Sequence, residues 1–416
     1  MEQTSQREIR AIDPTWDLAE LMARLAKALI GDGPAISLGS VSVEKAPQRV
    51  ALIVNTSGST GQAKEVGLSA SALLESAKSA NKFVGAKPGQ IWSLLLPLTH
   101  IAGINVLVRS LELGTVPIDA REITGKYPFA DFTAVVPTQL FRALNGDSDL
   151  LEHLISAQAV LVGGAALSSE LREASHNAGI NIIETYGMTE TAGKATLQRD
   201  SGSPLGTVGD PIPGLEARLA DDGELLLRGP TVFKGYFRNP EATEQAIDAQ
   251  GWLHTGDIAQ WVPTPDLPQG QEIKIVDRKK DIMITAGNKN ISPSEIENML
   301  KFSGFIKEAI IVADKRHFVS ALIQVDGETV GKWAEEKAIT YTNFKSLAEH
   351  ASVRDLVAQE VEAVNRRMPQ VQHVRKFHLL TKELDHDDGE VTATMKIRRE
   401  SIASKYSGEV EAMYRG

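Results

Sequence analysis

The sequence predicts an α/β protein: a large N-terminal domain of α/β layers carrying a β subdomain, then a small C-terminal α+β domain. Three features predict it. Short β-branched runs alternate with amphipathic stretches through the first half; shorter, turn-rich strands follow from Gly223; and a charged cluster, Asp277-Arg278-Lys279-Lys280-Asp281, precedes a compact mixture of helix and strand. With 416 residues, 42% of them hydrophobic, the chain can bury cores for two or three such domains.

In the first half, 49–54, 91–96, 133–136, 159–162 and 180–184 read as strands and 69–80, 139–144 and 168–178 as helices, predicting a largely parallel, buried sheet. The apolar run 91–108 is interrupted by Pro97, Thr99 and His100 and closes at Arg109. It is too short and polar for a membrane span and reads as a buried strand, a loop and a helix. Strands at 224–228 and 272–276 build the β subdomain, and 263–270 reads as a surface loop. The charged cluster is too polar to be buried as a block, which places the domains at 1–279 and 280–416. Beyond it, Ser292-Pro293-Ser294-Glu295 predicts a capping box opening a helix. Strands at 309–313, 321–325 and 375–380, with a helix at 353–366, complete the second domain.

Composition excludes several classes of function. The formal net charge of -10 leaves no basic footprint for nucleic acid or an anionic membrane, so anionic ligands need local sites. The absence of cysteine excludes disulfides, a thiolate nucleophile and thiolate metal ligands; it suits a reducing cytosol, and thioester chemistry would need a borrowed thiol. The first 17 residues mix acids and bases without an apolar core, unlike a signal or transit peptide, and a cytoplasmic location is expected.

The most informative segment is Thr56-Ser57-Gly58-Ser59-Thr60-Gly61-Gln62-Ala63-Lys64. It follows a strand and offers backbone N–H groups, hydroxyl donors and a cation to a polyphosphate, without the Walker spacing. A flexible Ser/Gly linker has a similar composition and is the alternative; the flanking strand weighs against it. Downstream, Glu184-Thr185-Tyr186-Gly187-Met188-Thr189-Glu190 sits at the carboxyl end of a strand, where α/β sheets place ligands, and Glu190 is a candidate Mg²⁺ ligand.

In these two segments the sequence resembles the adenylate-forming superfamily of acyl-CoA synthetases, peptide-synthetase adenylation domains and luciferases. The resemblance continues in chain order through Leu161-Val162-Gly163-Gly164-Ala165, Gly223-Glu224-Leu225, Gly235-Tyr236, Gly251-Trp252-Leu253-His254-Thr255-Gly256-Asp257, 277–297 and 392–399. It implies the adenylate-forming enzyme fold with a distorted β subdomain. It also implies an AMP-forming acid–thiol ligase that makes acyl-AMP and pyrophosphate from ATP and a carboxylic acid, then passes the acyl group to coenzyme A.

Carried over residue by residue, the resemblance implies that Thr56, Ser57, Gly58, Ser59, Thr60, Gly61 and Lys64 close over the β- and γ-phosphates. Thr189 would touch the α-phosphate and Glu190 would carry Mg²⁺. Gly163, Gly164 and Ala165 would line the adenine slot, with Tyr186 and Gly187 at the nucleotide and the tyrosine stacking on the base. Asp257 would accept both ribose hydroxyls, as a carboxylate with two acceptor oxygens can, and Arg278 would donate to the same sugar. Lys396 would bridge the acyl carboxylate and the α-phosphate. Lys280 would be the hinge of a rotating C-terminal domain, and Gly287 would let a pantetheine arm pass close to the backbone. His100 would gate or hydrogen-bond the acyl substrate; no general base is needed, because the carboxylate is already ionised at neutral pH.

Two positions depart from the usual phosphate loop: Ala63 stands where proline is common and Glu65 where glycine is common. The region before Thr56 is also shorter than in most relatives. Up to about Thr196 the chain looks like the compact o-succinylbenzoate-CoA ligases of menaquinone synthesis; from about Gly206 it looks like long-chain fatty acyl-CoA synthetases. The first resemblance is weighted more because the large domain builds the acyl pocket in this family, so an aromatic keto-acid is the expected substrate and a long-chain fatty acid the alternative. A carrier-protein loader and a non-catalytic ATP-binding module are the other classes considered.

Overall fold

The computed structural model of the chain describes residues 5–41, 44–57, 63–198, 203–204, 206–265, 270–391 and 397–415. They divide into two compact units, Met1–Ile275 and Val276–Gly416.

The first unit is built on three sheets. A seven-stranded sheet runs, in spatial order, Asp210–Pro211, Thr196–Leu197, Ile182–Tyr186, Ala159–Val162, Phe132–Val135, Trp92–Leu94 and Ile118–Asp119. The last five are parallel, in registers that pair Glu184 with Val162, Val162 with Val135 and Phe132 with Trp92; the first two extend the sheet antiparallel. Phe132–Val135 and Ala159–Val162 are buried at every residue, the pattern of parallel strands covered on both faces. The helix Ile101–Leu113 buries almost its whole surface, including Asn105, Arg109 and Ser110.

The strand expected at 49–54 does not belong to this sheet. It forms, as Val50–Ser57, part of a second, five-stranded sheet in the order Lys45–Pro47, Gln6–Ala11, Ala35–Leu38, Val50–Ser57 and Ala63–Ser69. Its parallel neighbour Ala35–Leu38 is itself fully buried, and its hairpin partner returns directly, so its pairing needs are met before the chain reaches Trp92. The helix Leu18–Ile30 packs here. Asp17 accepts the Glu20 N–H, Gly31 closes the helix at φ 82°, and Leu21, Met22, Leu25, Ala28 and Leu29 make one buried stripe.

The third sheet is antiparallel: Glu216–Leu219, Glu224–Arg228, Leu253–Pro263 and Gln271–Arg278. Its register slips between Glu224 and Leu226 against Leu253–Pro263, a bulge that bends the strand carrying Asp257.

In the second unit, Ile306–Val312, Val319–Val325 and Val374–Leu379 form a three-stranded sheet. Strand periodicity divides its side chains between two cores. Ala309, Ile311, Ala321 and Ile323 face Ile296, Leu300 and Val357, whereas Ile310 and Leu322 face Ile402, Val410 and Met413 of the C-terminal helices Arg399–Lys405 and Ser407–Tyr414.

The cluster 277–281 is not buried as a block: Arg278, Lys279 and Lys280 are exposed, and Asp277 alone of the five is buried. One expectation at the start of this unit is corrected. The helix Pro293–Lys301 has no capping box at Ser292; Asp277 Oδ2 takes both the Ser294 N–H at 3.0 Å and the Ser292 hydroxyl at 2.7 Å. An ionised carboxylate is the stronger acceptor and suits the positive end of the helix. Among the described residues, no helix is long and apolar enough to cross a membrane.

Candidate active site

The hairpin between Val50–Ser57 and Ala63–Ser69 pairs Thr56 with Lys64 and Ser57 with Ala63, so its ends bracket 58–62. The Thr56 hydroxyl donates to the Lys64 carbonyl at 3.2 Å. Ala63, where the resemblance leads one to expect proline, is the first paired residue of the returning strand and supplies a backbone N–H that proline lacks. Gly58, Ser59, Thr60 and Gly61 lie outside the described residues.

Lys64 Nζ sits 4.5 Å from the ring centroid of Tyr236, and the Tyr236 hydroxyl donates to Glu190 Oε1 at 2.8 Å. Burial, followed by the Glu190 charge, pushes the phenol pKa up, so the hydroxyl stays a donor. Backbone contacts hold this arrangement. Val66 bridges to Tyr236, the Phe237 N–H donates to Glu65 O at 2.7 Å, and the Phe233 N–H donates to Glu190 O at 2.8 Å. The hydroxyl-rich hairpin and Glu190, 126 positions apart in the sequence, are thus linked through one tyrosine.

Glu190 lies on a 3₁₀ turn, Thr189–Thr191, that follows the strand Ile182–Tyr186. Ala192, at φ 51°, ends the turn, and its carbonyl accepts from Ser76 Oγ at 3.0 Å and Asn105 Nδ2 at 2.9 Å. A Cβ on Gly187 would lie 2.7 Å from the Gly193 and Lys194 backbone, so only glycine lets the turn fold back this tightly.

On the other flank, the Tyr186 hydroxyl donates to Asp257 Oδ2 at 2.5 Å. Asp257 is buried, and its N–H donates to Thr255 Oγ1 at 3.1 Å. Gly163 and Gly164 follow the adjacent parallel strand, and a Cβ on Gly163 would meet Thr185 Oγ1 at 2.6 Å. The structure therefore groups Gly163, Gly164, Tyr186 and Asp257 at one sheet end, while Ala165, exposed, follows Gly164 in the same loop.

His100 is exposed at the N-cap of Ile101–Leu113, without a side-chain capping bond. A Cβ on Gly103 would lie 2.3 Å from the Pro97 carbonyl, which fixes how this helix starts. The helix meets the Glu190 turn through Asn105 and through Ile101, which approaches Gly193.

Lys194, two residues past Ala192, is 5% exposed; its N–H donates to Thr191 O at 3.1 Å, while its side chain makes no hydrogen bond or ion pair to a described residue. Burial first, and Arg109 second, hold its ammonium pKa well below the usual value. Arg109 is itself buried over the Trp92 ring at 4.4 Å, its pKa lowered to about 9 by burial. Its Nη1, with Asn105 Oδ1 and Ser110 Oγ, lacks a hydrogen-bond partner among the described residues. Sequence reasoning missed both cations and the role of Tyr236. The available signal was a lysine inside the small-residue run Ala192-Gly193-Lys194-Ala195.

Glu184, in the same motif as Glu190, points elsewhere. It pairs with the Arg172 guanidinium at 2.9 Å, and burial raises its carboxyl pKa to about 7.

Arg278, Lys280, Gly287 and Lys396 belong to the second unit. Arg278 and Lys280 are exposed, and the contact boundary falls between Ile275 and Val276, ahead of both. Gly287 lies not in a strand but in an exposed turn between Met283–Ile284 and Asn290–Ile291, where a Cβ would meet only Thr285 Oγ1 at 4.0 Å. Lys396 lies outside the described residues, but its flanks are anchored. Val391 bridges to Ile397, and Arg399 makes a two-pronged ion pair with Glu297 at 2.6 and 2.9 Å.

Among the described residues, no three or more His, Cys, Asp or Glu side chains are placed together to hold a metal ion. A lone carboxylate at Glu190 fits Mg²⁺, which takes one or two protein carboxylates and completes its shell with phosphate oxygens and water.

A model of the AMP-binding enzyme family matches residues 4–237, and one of the AMP-binding enzyme C-terminal domain matches residues 280–416. The long-chain-fatty-acid–CoA ligase FadD15 of Mycobacterium tuberculosis is 36% identical over 288 residues, which are 68% of this chain and 45% of that protein. The chain thus spans about half the length of this relative. The putative fatty-acid–CoA ligase fadD11 of the same species is 28% identical over 88% of this chain and 74% of its own length. Among solved structures, O-succinylbenzoate coenzyme A synthetase (MenE) of Bacillus subtilis with AMP superposes with a TM-score of 0.65 at 22% identity, covering 94% of this chain and 77% of that one. ATP-bound MatB of Rhodopseudomonas palustris gives 0.65 at 21% identity, covering 95% and 83%. At these identities the structural likeness bears on the fold.

Proposed function

The chain belongs to the AMP-binding enzyme family, and from that premise we propose that it is an ATP-dependent acid–coenzyme A ligase. In the first step a substrate carboxylate oxygen attacks the α-phosphorus of ATP, forming acyl-AMP as the bond to pyrophosphate breaks. In the second, a thiol attacks the acyl carbonyl and AMP leaves.

The observation that carries this reading is the link from Lys64 through Tyr236 to Glu190. It sets a cation and a carboxylate on either side of one aromatic side chain, where a polyphosphate and its Mg²⁺ would need them. The metal, held by Glu190, would supply charge neutralisation at the phosphate oxygens. Lys64 would bind the leaving pyrophosphate, Asp257 the ribose and Tyr186 the base. Lys396 would stabilise charge at the α-phosphate, Arg278 would donate to the ribose, and the second unit would turn about Lys280 to present Gly287 for the thioester step.

The favoured substrate is o-succinylbenzoate or a similar aromatic keto-acid, as in menaquinone biosynthesis. Arg109, on the helix that starts after His100, and Lys194 are buried without a carboxylate partner among the described residues, which supports a substrate that brings a second acid group of its own. A long-chain fatty acid is the second reading, favoured by the 36% identity with FadD15. Pyrophosphate release over a panel of aromatic dicarboxylic and alkyl acids tests this. Release with alkyl acids alone would reject the first reading, and no release with any acid would reject ligase activity. Acyl transfer to a phosphopantetheine carrier protein but not to free coenzyme A would reassign the acceptor.

A further inference from the structure

The second sheet of the first unit holds a cavity of about 510 Å³, lined by residues of the strands Lys45–Pro47, Val50–Ser57 and Ala63–Ser69 and by the segment that follows Phe233. Four cationic side chains line it: Lys45, Arg49, Lys234 and Arg238. Among the described residues, no aspartate or glutamate does. All four are exposed, and none makes an ion pair with a described residue. The chain as a whole carries a net charge of -10, so this concentration of one sign is local rather than a product of overall basicity.

The wall is built rather than incidental. A Cβ on Gly235, at φ 136°, would lie 2.5 Å from the Thr243 side chain, and the Tyr236 N–H donates to Thr243 Oγ1 at 2.9 Å. Arg238 adopts φ 53°, a left-handed conformation that few side-chain-bearing residues take. A neighbouring cavity of about 700 Å³ contains Lys64 and shares only Phe237 and Arg238 with the first.

We propose that the cavity lined by Lys45, Arg49, Lys234 and Arg238 is a second phosphate-anion site, at the opposite end of the hairpin from Lys64, for a ligand carrying two or more phosphate groups. A cavity of this volume is roughly 10 Å across, close to the Debye length of about 8 Å at physiological salt, so neighbouring charges on its wall are only partly screened from one another. A concave wall concentrates their field, and lysine and arginine are the side chains that bind phosphate oxygens best. A multiply charged anion offsets more of their mutual repulsion than a single negative charge does. Two sources share this chemistry: pyrophosphate, and the phosphorylated nucleotide end of a coenzyme such as coenzyme A.

The test is calorimetric binding of pyrophosphate and of adenosine 3′,5′-bisphosphate to the full chain. Three proteins are compared: wild type, Lys64→Ala, and the double variant Arg49→Ala/Lys234→Ala, with melting curves as the check on folding. Lys64→Ala should keep a phosphate site, and the double variant should weaken that site at least about 10-fold, with a shallower salt dependence. Tighter binding of the bisphosphate identifies a coenzyme as the source; binding of pyrophosphate alone identifies the inorganic anion. The proposal is overturned if wild type binds neither ligand, if Lys64→Ala abolishes all binding, or if the double variant binds as wild type does. Acid-dependent pyrophosphate release by the double variant, measured separately, keeps this result distinct from success or failure of the ligase reading.

Discussion

Tyr236 donates its hydroxyl hydrogen to Glu190 Oε1 at 2.8 Å while its ring lies 4.5 Å from Lys64 Nζ, so one side chain orients both the proposed metal ligand and the proposed phosphate ligand. Tyr236→Phe removes the hydrogen bond and keeps the ring. A bond to a charged group contributes about 1.5–3 kcal/mol, so pyrophosphate release should fall roughly 10- to 100-fold, with more Mg²⁺ needed for half-maximal rate. An unchanged Mg²⁺ dependence would show that Tyr236 does not orient Glu190.

Tyr186 and Asp257 make a second such pair, and they should separate on mutation. Asp257→Ala removes the proposed ribose acceptor and should raise the KM for ATP by about 10-fold or more, the effect of losing one or two charge-assisted hydrogen bonds. Tyr186→Phe keeps the ring surface and should change it by less than about 3-fold. Equal effects in steady-state kinetics would argue against stacking as the role of the tyrosine.

The two half-reactions should respond to different residues of the second unit. Lys396→Ala should slow acyl-AMP formation by orders of magnitude while sparing thioester formation from supplied acyl-AMP. Gly287→Leu should impair only the coenzyme A step, since its turn has open space around the missing side chain and the substitution should not disturb folding. Single-turnover assays of each step decide; loss of both steps in either variant rejects its assignment.

Arg399, three positions after Lys396, is proposed to position the segment that carries that lysine. Its ion pair with Glu297 is largely buried, so Arg399→Ala strands a carboxylate and should destabilise the second unit by about 3 kcal/mol in denaturant titration. Arg399→Lys should recover part of that stability but less of the adenylation rate, because one ammonium cannot reproduce the two-pronged contact.

Lys194 gives a pH signature. Burial and Arg109 depress its folded pKa well below 10.5, so the unfolded chain holds a proton that the folded site sheds. Stability from this group is complete above 10.5 and is lost as pH falls toward the depressed value. Lys194→Met should flatten that slope and preserve or raise the melting temperature near neutrality. It should also raise the KM for an aromatic dicarboxylic acid and not for an alkyl acid. A melting temperature that drops sharply would mean the lysine holds structure rather than substrate.

Much of the fold was legible because local spacing carries it. The buried strands Phe132–Val135 and Ala159–Val162 and the helix Ala70–Phe83 lie within a few residues of their expected positions. The helix Leu18–Ile30 was equally legible, with Asp17 before it and Gly31 after it, and went unread. Sheet membership was not legible: nothing local to 49–54 says whether its partner is Ala35–Leu38 or Trp92–Leu94. The cap on Pro293–Lys301 misled for a related reason, because the better acceptor, Asp277, lies fifteen positions before Ser292.

The sequence by itself determined the family and the candidate nucleotide residues, because glycines, hydroxyls and charges at fixed short spacings reflect backbone geometry that few other residues can adopt. Only the tertiary structure decided that Tyr236 joins Lys64 to Glu190, that Tyr186 joins Asp257, and that Arg109 and Lys194 are buried near each other. Each of these is a pairing between segments far apart in the chain. Such a pairing depends on which sheet edges meet and which charges lose their water, and neither is written in the order of residues along any one segment.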